Sequence, residues 1–176
     1  MLDRLATIKH LIDEHQTTRE HLKLVGDSLT DQEAIRALEK TRSDWIPGRL
    51  GDLPEKRKRL QQTLSLLEEG LRNHFTFEER VLPPLVGELL AEALVLEHRE
   101  LTKEIGRARS MVAIIRLEGL SREELLPKEA QVQEMIDNIL QKKGEHLTKE
   151  EAILDMVQRA LEERARQSPI EELPVK

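Results

Sequence analysis

Two copies of one string, His-x-x-x-Glu-Glu-x-x-Leu, carry the chemistry of this 176-residue chain: HFTFEERVL from His74 and HLTKEEAIL from His146. On a helix, residues four apart share a face, so each string presents an imidazole above a carboxylate. Nitrogen and oxygen donors of this kind suit divalent or trivalent metal ions, and a glutamate has two oxygens with which to bridge two of them. Outside those strings, Glu-His pairs at Glu14–His15 and Glu97–His98 add two further imidazoles to the candidate set. The chain has no Cys, which excludes disulfides, thiolate zinc sites, thiolate-held iron-sulfur clusters and a cysteine nucleophile. No His follows a Glu by three positions, so the Glu-x-x-His pair of ferritin-like di-iron proteins is missing. H-E-x-x-H, G-x-G-x-x-G and Walker strings are also absent from the sequence.

The elements that must position these groups read as helices throughout. Apolar residues recur at spacings of three and four, without sustained strand alternation. A first helix spans roughly residues 2–25. Thr30 with Glu33 opens a short accessory helix to about Ser43, and the Pro- and Gly-rich segment around Trp45 follows. Pro54 suits the first turn of a second long helix that reaches about Leu82, where Pro83 and Pro84 stop it. A third helix starts near Gly87 and continues to about Leu117. Ser121 with Glu124 caps a turn leading through Pro127 into a fourth, to about Arg166. The expected fold class is therefore all-α: an up-down-up-down four-helix bundle over residues 1–166, with a short accessory helix between helices one and two. Residues 167–176 form a C-terminal tail. The repeated motifs divide the bundle into two similar hairpins, and the surplus length of the first half falls in the Trp45 segment.

Helical periodicity also says which groups face inward. His15 falls at the centre of the stripe formed by Leu5, Ile8, Ile12 and Leu22. The stripe of Leu60, Leu64, Leu67 and Leu71 runs on into His74 and Glu78, and that of Val132, Ile136 and Ile139 into His146 and Glu150. His98 sits at the edge of the third apolar face. Measured from the Pro83–Pro84 connection, Glu78 and His98 lie about 5 and 14 residues away, at a common depth of roughly 10 to 20 Å. Buried carboxylates that face one another repel, so cations belong between them. His15 and His74 would serve one metal, His98 and His146 the other, with Glu78 and Glu150 bridging. The plain alternative is a metal-free polar network, in which Lys143 or Arg19 pairs with the glutamates. Both cations are expected instead to carry their charge out to water along apolar stems. His10 and His21 fall on the surface, and Glu79 and Glu151 are expected as outer partners or solvent-facing groups. Trp45 is read as a cap or gate at one bundle end, or as an ordinary loop anchor.

These residues resemble the hemerythrin-like family, the HHE cation-binding domain: a His on helix one, H-x-x-x-E on helix two, a His on helix three and H-x-x-x-E on helix four. The string EERVLPPL, Glu78 to Leu85, is similar to the family's segment after its second-helix motif. The resemblance covers roughly residues 2–166 and implies as metal ligands His15, His74, Glu78, His98, His146 and Glu150. It implies two iron ions, oxo- or hydroxo-bridged, with zinc or manganese suited to the same donors. The oxygen-carrying members have a further His four residues along helix three, where this chain has Leu94 and Thr102 on either side of His98. Their last carboxylate is an Asp one residue further on, where Glu151 stands here. The pattern is closer to four-His, two-Glu relatives linked to iron sensing, nitric oxide or peroxide responses and repair of damaged iron centres. The repair relatives carry a cysteine-bearing module that has no counterpart here.

Composition narrows the partners. Lys plus Arg number 28 against 34 Asp plus Glu, for a net charge of -6, which disfavours nucleic acid. No apolar run approaches a membrane span or a signal peptide, so a cytoplasmic location is expected. The expected partner is a small diatomic ligand or peroxide bound at a di-iron centre, for sensing, storage, detoxification or iron-centre repair; no protein partner is specified. Turnover would need proton delivery as well as open coordination, and the sequence does not decide whether the chain is an enzyme. The competing function is a non-catalytic helical interaction module with a structural metal or none.

Overall fold

A computed structural model describes residues 4–9, 31–47 and 52–167 of the chain. Among these residues the regular structure is helical: residues 4–9 (α1), Asp31–Arg42 (α2), Leu53–Val81 (α3), Pro83–Val86 (α4), Glu88–Ile114 (α5) and Arg122–Gln167 (α6), with a 3-10 turn at Ser43–Trp45. The expected first helix is described only over 4–9, where Ile8 is fully buried. The remainder of that helix, with His10, His15, Arg19, His21 and the Thr30 cap, lies outside the described residues, as does the tail from 168 onward.

Local chemistry sets the helix boundaries. Asp52 caps α3 by accepting the Glu55 amide at 3.2 Å, and Pro54 occupies the first turn, where no N–H is needed. Ser121 and Glu124 form a reciprocal capping box at the head of α6. The Glu124 carboxylate accepts the Ser121 amide at 2.8 Å, and the Ser121 hydroxyl accepts the Glu124 amide at 3.3 Å. One proline expectation holds and one needs correction. α3 ends at Val81 with Leu82 as its cap, just before Pro83 and Pro84, which open the separate one-turn helix α4; Gly87 terminates that turn with φ at +87°, a conformation glycine adopts without a Cβ penalty. The fourth long helix begins at Arg122 rather than after Pro127, which sits within it at the cost of one backbone hydrogen bond.

Cross-contacts give the helix directions. Glu79 meets His98 and Glu68 meets Arg109, so α3 and α5 run antiparallel. Glu97 meets Lys149 and Glu104 meets Lys142, so α5 and α6 do too. In the half of the bundle away from the His/Glu motifs, α2 packs against α3 and α6 through buried Ala34 and Leu38. The accessory helix is therefore part of the main core. Trp45 is fully buried in that core and anchors the segment that follows α2.

Two apolar clusters result. The larger holds Leu64, Leu71, Phe75, Leu101, Ile105, Ile136 and Ile139 among others; the smaller centres on Leu82, Leu94 and Leu154. Along each long helix the metal-type residues fall between the two: Glu78 between Phe75 and Leu82, His98 between Leu94 and Leu101, His146 and Glu150 between Ile139 and Leu154. A polar layer is thus enclosed above and below by hydrocarbon. Among the described residues, no helix is long and apolar enough to cross a membrane.

Candidate metal centre

The α3 stripe turns polar after Leu71, and the same 4-3 periodicity that buries leucines carries Glu78 inward until it is 0% exposed. One turn earlier, His74 Nε2 lies 2.6 Å from Glu78 Oε1. From α5, His98 Nε2 approaches the other oxygen, Oε2, at 3.3 Å. On α6, His146 Nε2 lies 3.6 Å from Glu150 Oε2, and Glu150 is also fully buried. Two groups of donors form, Glu78–His98–His146 and His74–Glu78–Glu150; in each, the donor atoms lie within 4.8 Å of one another. Glu78 belongs to both. Five of the six sequence-derived ligands therefore meet in one buried layer, and the sixth, His15, lies outside the described residues.

The rings are held from two sides. Phe75 stacks on His98 with centroids 3.9 Å apart and planes 6° from parallel, and meets His146 edge-on at 5.8 Å. On their outer edges, His98 Nδ1 pairs with the Glu79 carboxylate at 3.2 Å and His146 Nδ1 with Glu97 at 3.1 Å. Lys149 donates to the other Glu97 oxygen at 2.8 Å. The inner Nε2 atoms of His98 and His146 are buried and make no hydrogen bond among the described residues. Burial, reinforced by the Lys143 charge, pushes the His146 pKa down to about 4, so the ring is neutral near pH 7 and its Nε2 lone pair is available to a metal. Burial pushes Glu97 the other way, but hydrogen bonds from Lys149 and His146 outweigh it and hold the carboxyl below its usual range.

Some residues sit where the sequence did not put them. Lys143 does not reach for water: it is 6% exposed, with Nζ 5.6 Å from the Phe75 ring centroid, where the aromatic face accommodates a cation. Thr102, at the position where oxygen carriers have an extra His, donates its hydroxyl to the His98 carbonyl at 2.8 Å. Glu97 and Lys149 carry no signal along a single helix, because their role depends on which neighbour α5 and α6 turn toward each other.

The comparison with protein families decides the kinship: the Hemerythrin HHE cation binding domain matches residues 6–154. The chain belongs to the hemerythrin HHE family. No curated protein and no solved structure gives a significant match. The hemerythrin match spans all six candidate ligands, and the chain is accordingly a metal-binding helical domain. The residues present fit such an ion. Two buried imidazole Nε2 atoms that make no hydrogen bond among the described residues, aimed at buried carboxylates in a hydrocarbon-walled layer, suit a cation.

Proposed function

We propose that this chain is a non-haem di-iron protein of the hemerythrin type, in which His15 and His74 serve one iron, His98 and His146 the other, and Glu78 and Glu150 bridge them. The observation that carries the reading is the overlap of two donor groups on one fully buried carboxylate, Glu78. A carboxylate shared by two donor groups has an oxygen to offer each of two ions. Two irons held by these four imidazoles and two carboxylates would have open coordination positions for dioxygen, nitric oxide or peroxide.

The chain's own residues set the conditions of that binding. The clusters around Phe75 and around Leu82 exclude bulk water from both sides of the polar layer. Lys143, buried one turn before His146, adds a positive charge that favours an anionic ligand such as peroxide over a neutral one. The glutamates bring two negative charges that neutralise only part of the charge of two ferric or ferrous ions.

The test is spectroscopic. Protein loaded anaerobically with ferrous iron should develop near-ultraviolet charge-transfer absorption on exposure to dioxygen or peroxide and a distinct spectrum with nitric oxide. Loaded protein whose spectrum none of these ligands changes would leave the metal a structural role.

A further inference from the structure

Both imidazoles of the Glu78–His98–His146 group are gripped on the outer edge by a carboxylate from the preceding long helix. Glu79 on α3 holds His98 of α5 at 3.2 Å, and Glu97 on α5 holds His146 of α6 at 3.1 Å. Each gripping residue stands beside an inward-facing one, Glu79 beside Glu78 and Glu97 beside His98. A helix therefore contributes a donor to the centre and, about 100° round, a support for the donor on the next helix. A neutral imidazole has one N–H, and whichever nitrogen carries it cannot be a metal donor. A carboxylate at Nδ1 draws the proton there and leaves the Nε2 lone pair free.

We propose that Glu79 and Glu97 are positioning residues of the centre: they fix His98 and His146 in the Nδ1–H tautomer and lock the ring planes so that Nε2 faces Glu78 and Glu150, with Lys149 holding Glu97 in place. This rests on the reading that the buried layer holds metal. The supports differ in their own anchoring. Glu97 is tied by Lys149 on the rim of a pocket of about 150 Å³ that also includes Glu100, Lys142 and Glu145 and reaches His146 from solvent. Glu79 is the more exposed, at 42% against 33% for Glu97. Neither carboxylate is buried, so removing one leaves the apolar clusters intact. Side-chain support of this type is worth about 10- to 100-fold in metal affinity.

The experiment has two readouts. On metal-free protein near neutral pH, long-range nitrogen–proton NMR of the imidazoles should show Nδ1–H in His98 and His146. Glu97→Ala should erode that preference at His146 alone, and Glu79→Ala at His98 alone. On zinc-loaded protein, competition with a chelator should show a 10- to 100-fold loss of affinity in each alanine variant with unchanged stoichiometry. Glu97→Gln, whose amide oxygen still accepts from Nδ1, should recover the tautomer and most of the affinity, which a loss of charge alone would not allow. Lys149→Ala should weaken binding in the parent and have no further effect beside Glu97→Ala. Unchanged tautomers in both alanine variants would overturn the proposal, as would zinc affinities within twofold of the parent. Failure of the parent itself to bind zinc or iron would sink the metal reading, while the tautomer measurement would still decide the positioning role.

Discussion

Glu78 has one oxygen toward His74 and the other toward His98, so its loss removes a member from both donor groups at once. Glu78→Ala should therefore lose most of the bound metal, and Glu150→Ala a large part, while His10→Ala keeps it; elemental analysis of the purified variants checks the ranking. A pH prediction follows from His146. Its folded pKa, about 4, lies below the ordinary value of 6.5, so the folded protein is disfavoured when the ring takes a proton. The contribution of neutral, buried His146 is complete above about pH 6.5 and is lost progressively as pH falls toward 4, on the order of 3 kcal/mol in all. Urea unfolding of the metal-free protein should show this acid-side loss, and His146→Gln should lack that part of it. At this scale the inward register of His74, Glu78, His146 and Glu150 was readable from the sequence, because it depends only on the 3.6-residue period within one helix. The burial of Lys143 was not, since a stem long enough to reach water from a buried Cβ is equally long enough to lie over Phe75.

Individual elements depend on their caps and on one buried ion pair. Ser121→Ala breaks the capping box of α6 and should cost about 1 kcal/mol by denaturant unfolding. In the half of the bundle away from the centre, Lys56 of α3 and Glu129 of α6 face each other at 3.8 Å, both nearly sealed from water. Truncating one charge removes from the other a close partner in a low-dielectric interior, so Lys56→Met should destabilise by up to roughly 3 kcal/mol, and the double variant Lys56→Met/Glu129→Leu should recover part of it. A double variant no better than the single would show that each charge relies on other neighbours instead. Helix types and order could be read from apolar spacing and capping residues. So could the end of α3 before Pro83; the start of α6 ahead of Pro127 could not, because proline in a second turn forfeits one backbone hydrogen bond, and packing against neighbouring helices outweighs that cost.

For the molecule as a whole, the polar layer lies between two hydrocarbon clusters that draw residues from the same helices. Its groups are thereby held at one depth and kept from bulk water, which is the condition for a buried metal pair. The repeat that ties HFTFEE to HLTKEE makes Glu151 the counterpart of Glu79. By that equivalence Glu151→Ala should lower metal affinity about as much as Glu79→Ala does, in the same chelator competition. The antiparallel pairing of α5 with α6 was readable from the short connection between them. The supporting carboxylate Glu97 was not, because it acts across the α5–α6 interface and single-helix periodicity says nothing of rotation between helices. The most direct test of the central claim is an equilibrium titration of the metal-free chain with ferrous iron, followed by unfolding at each step. Binding should saturate at two ions per chain, with a stability gain of about 3 kcal/mol per site, or about 5 kcal/mol for the pair, once free iron exceeds the dissociation constant a hundredfold. A chain that takes up no iron and unfolds at the same denaturant concentration throughout would contradict it.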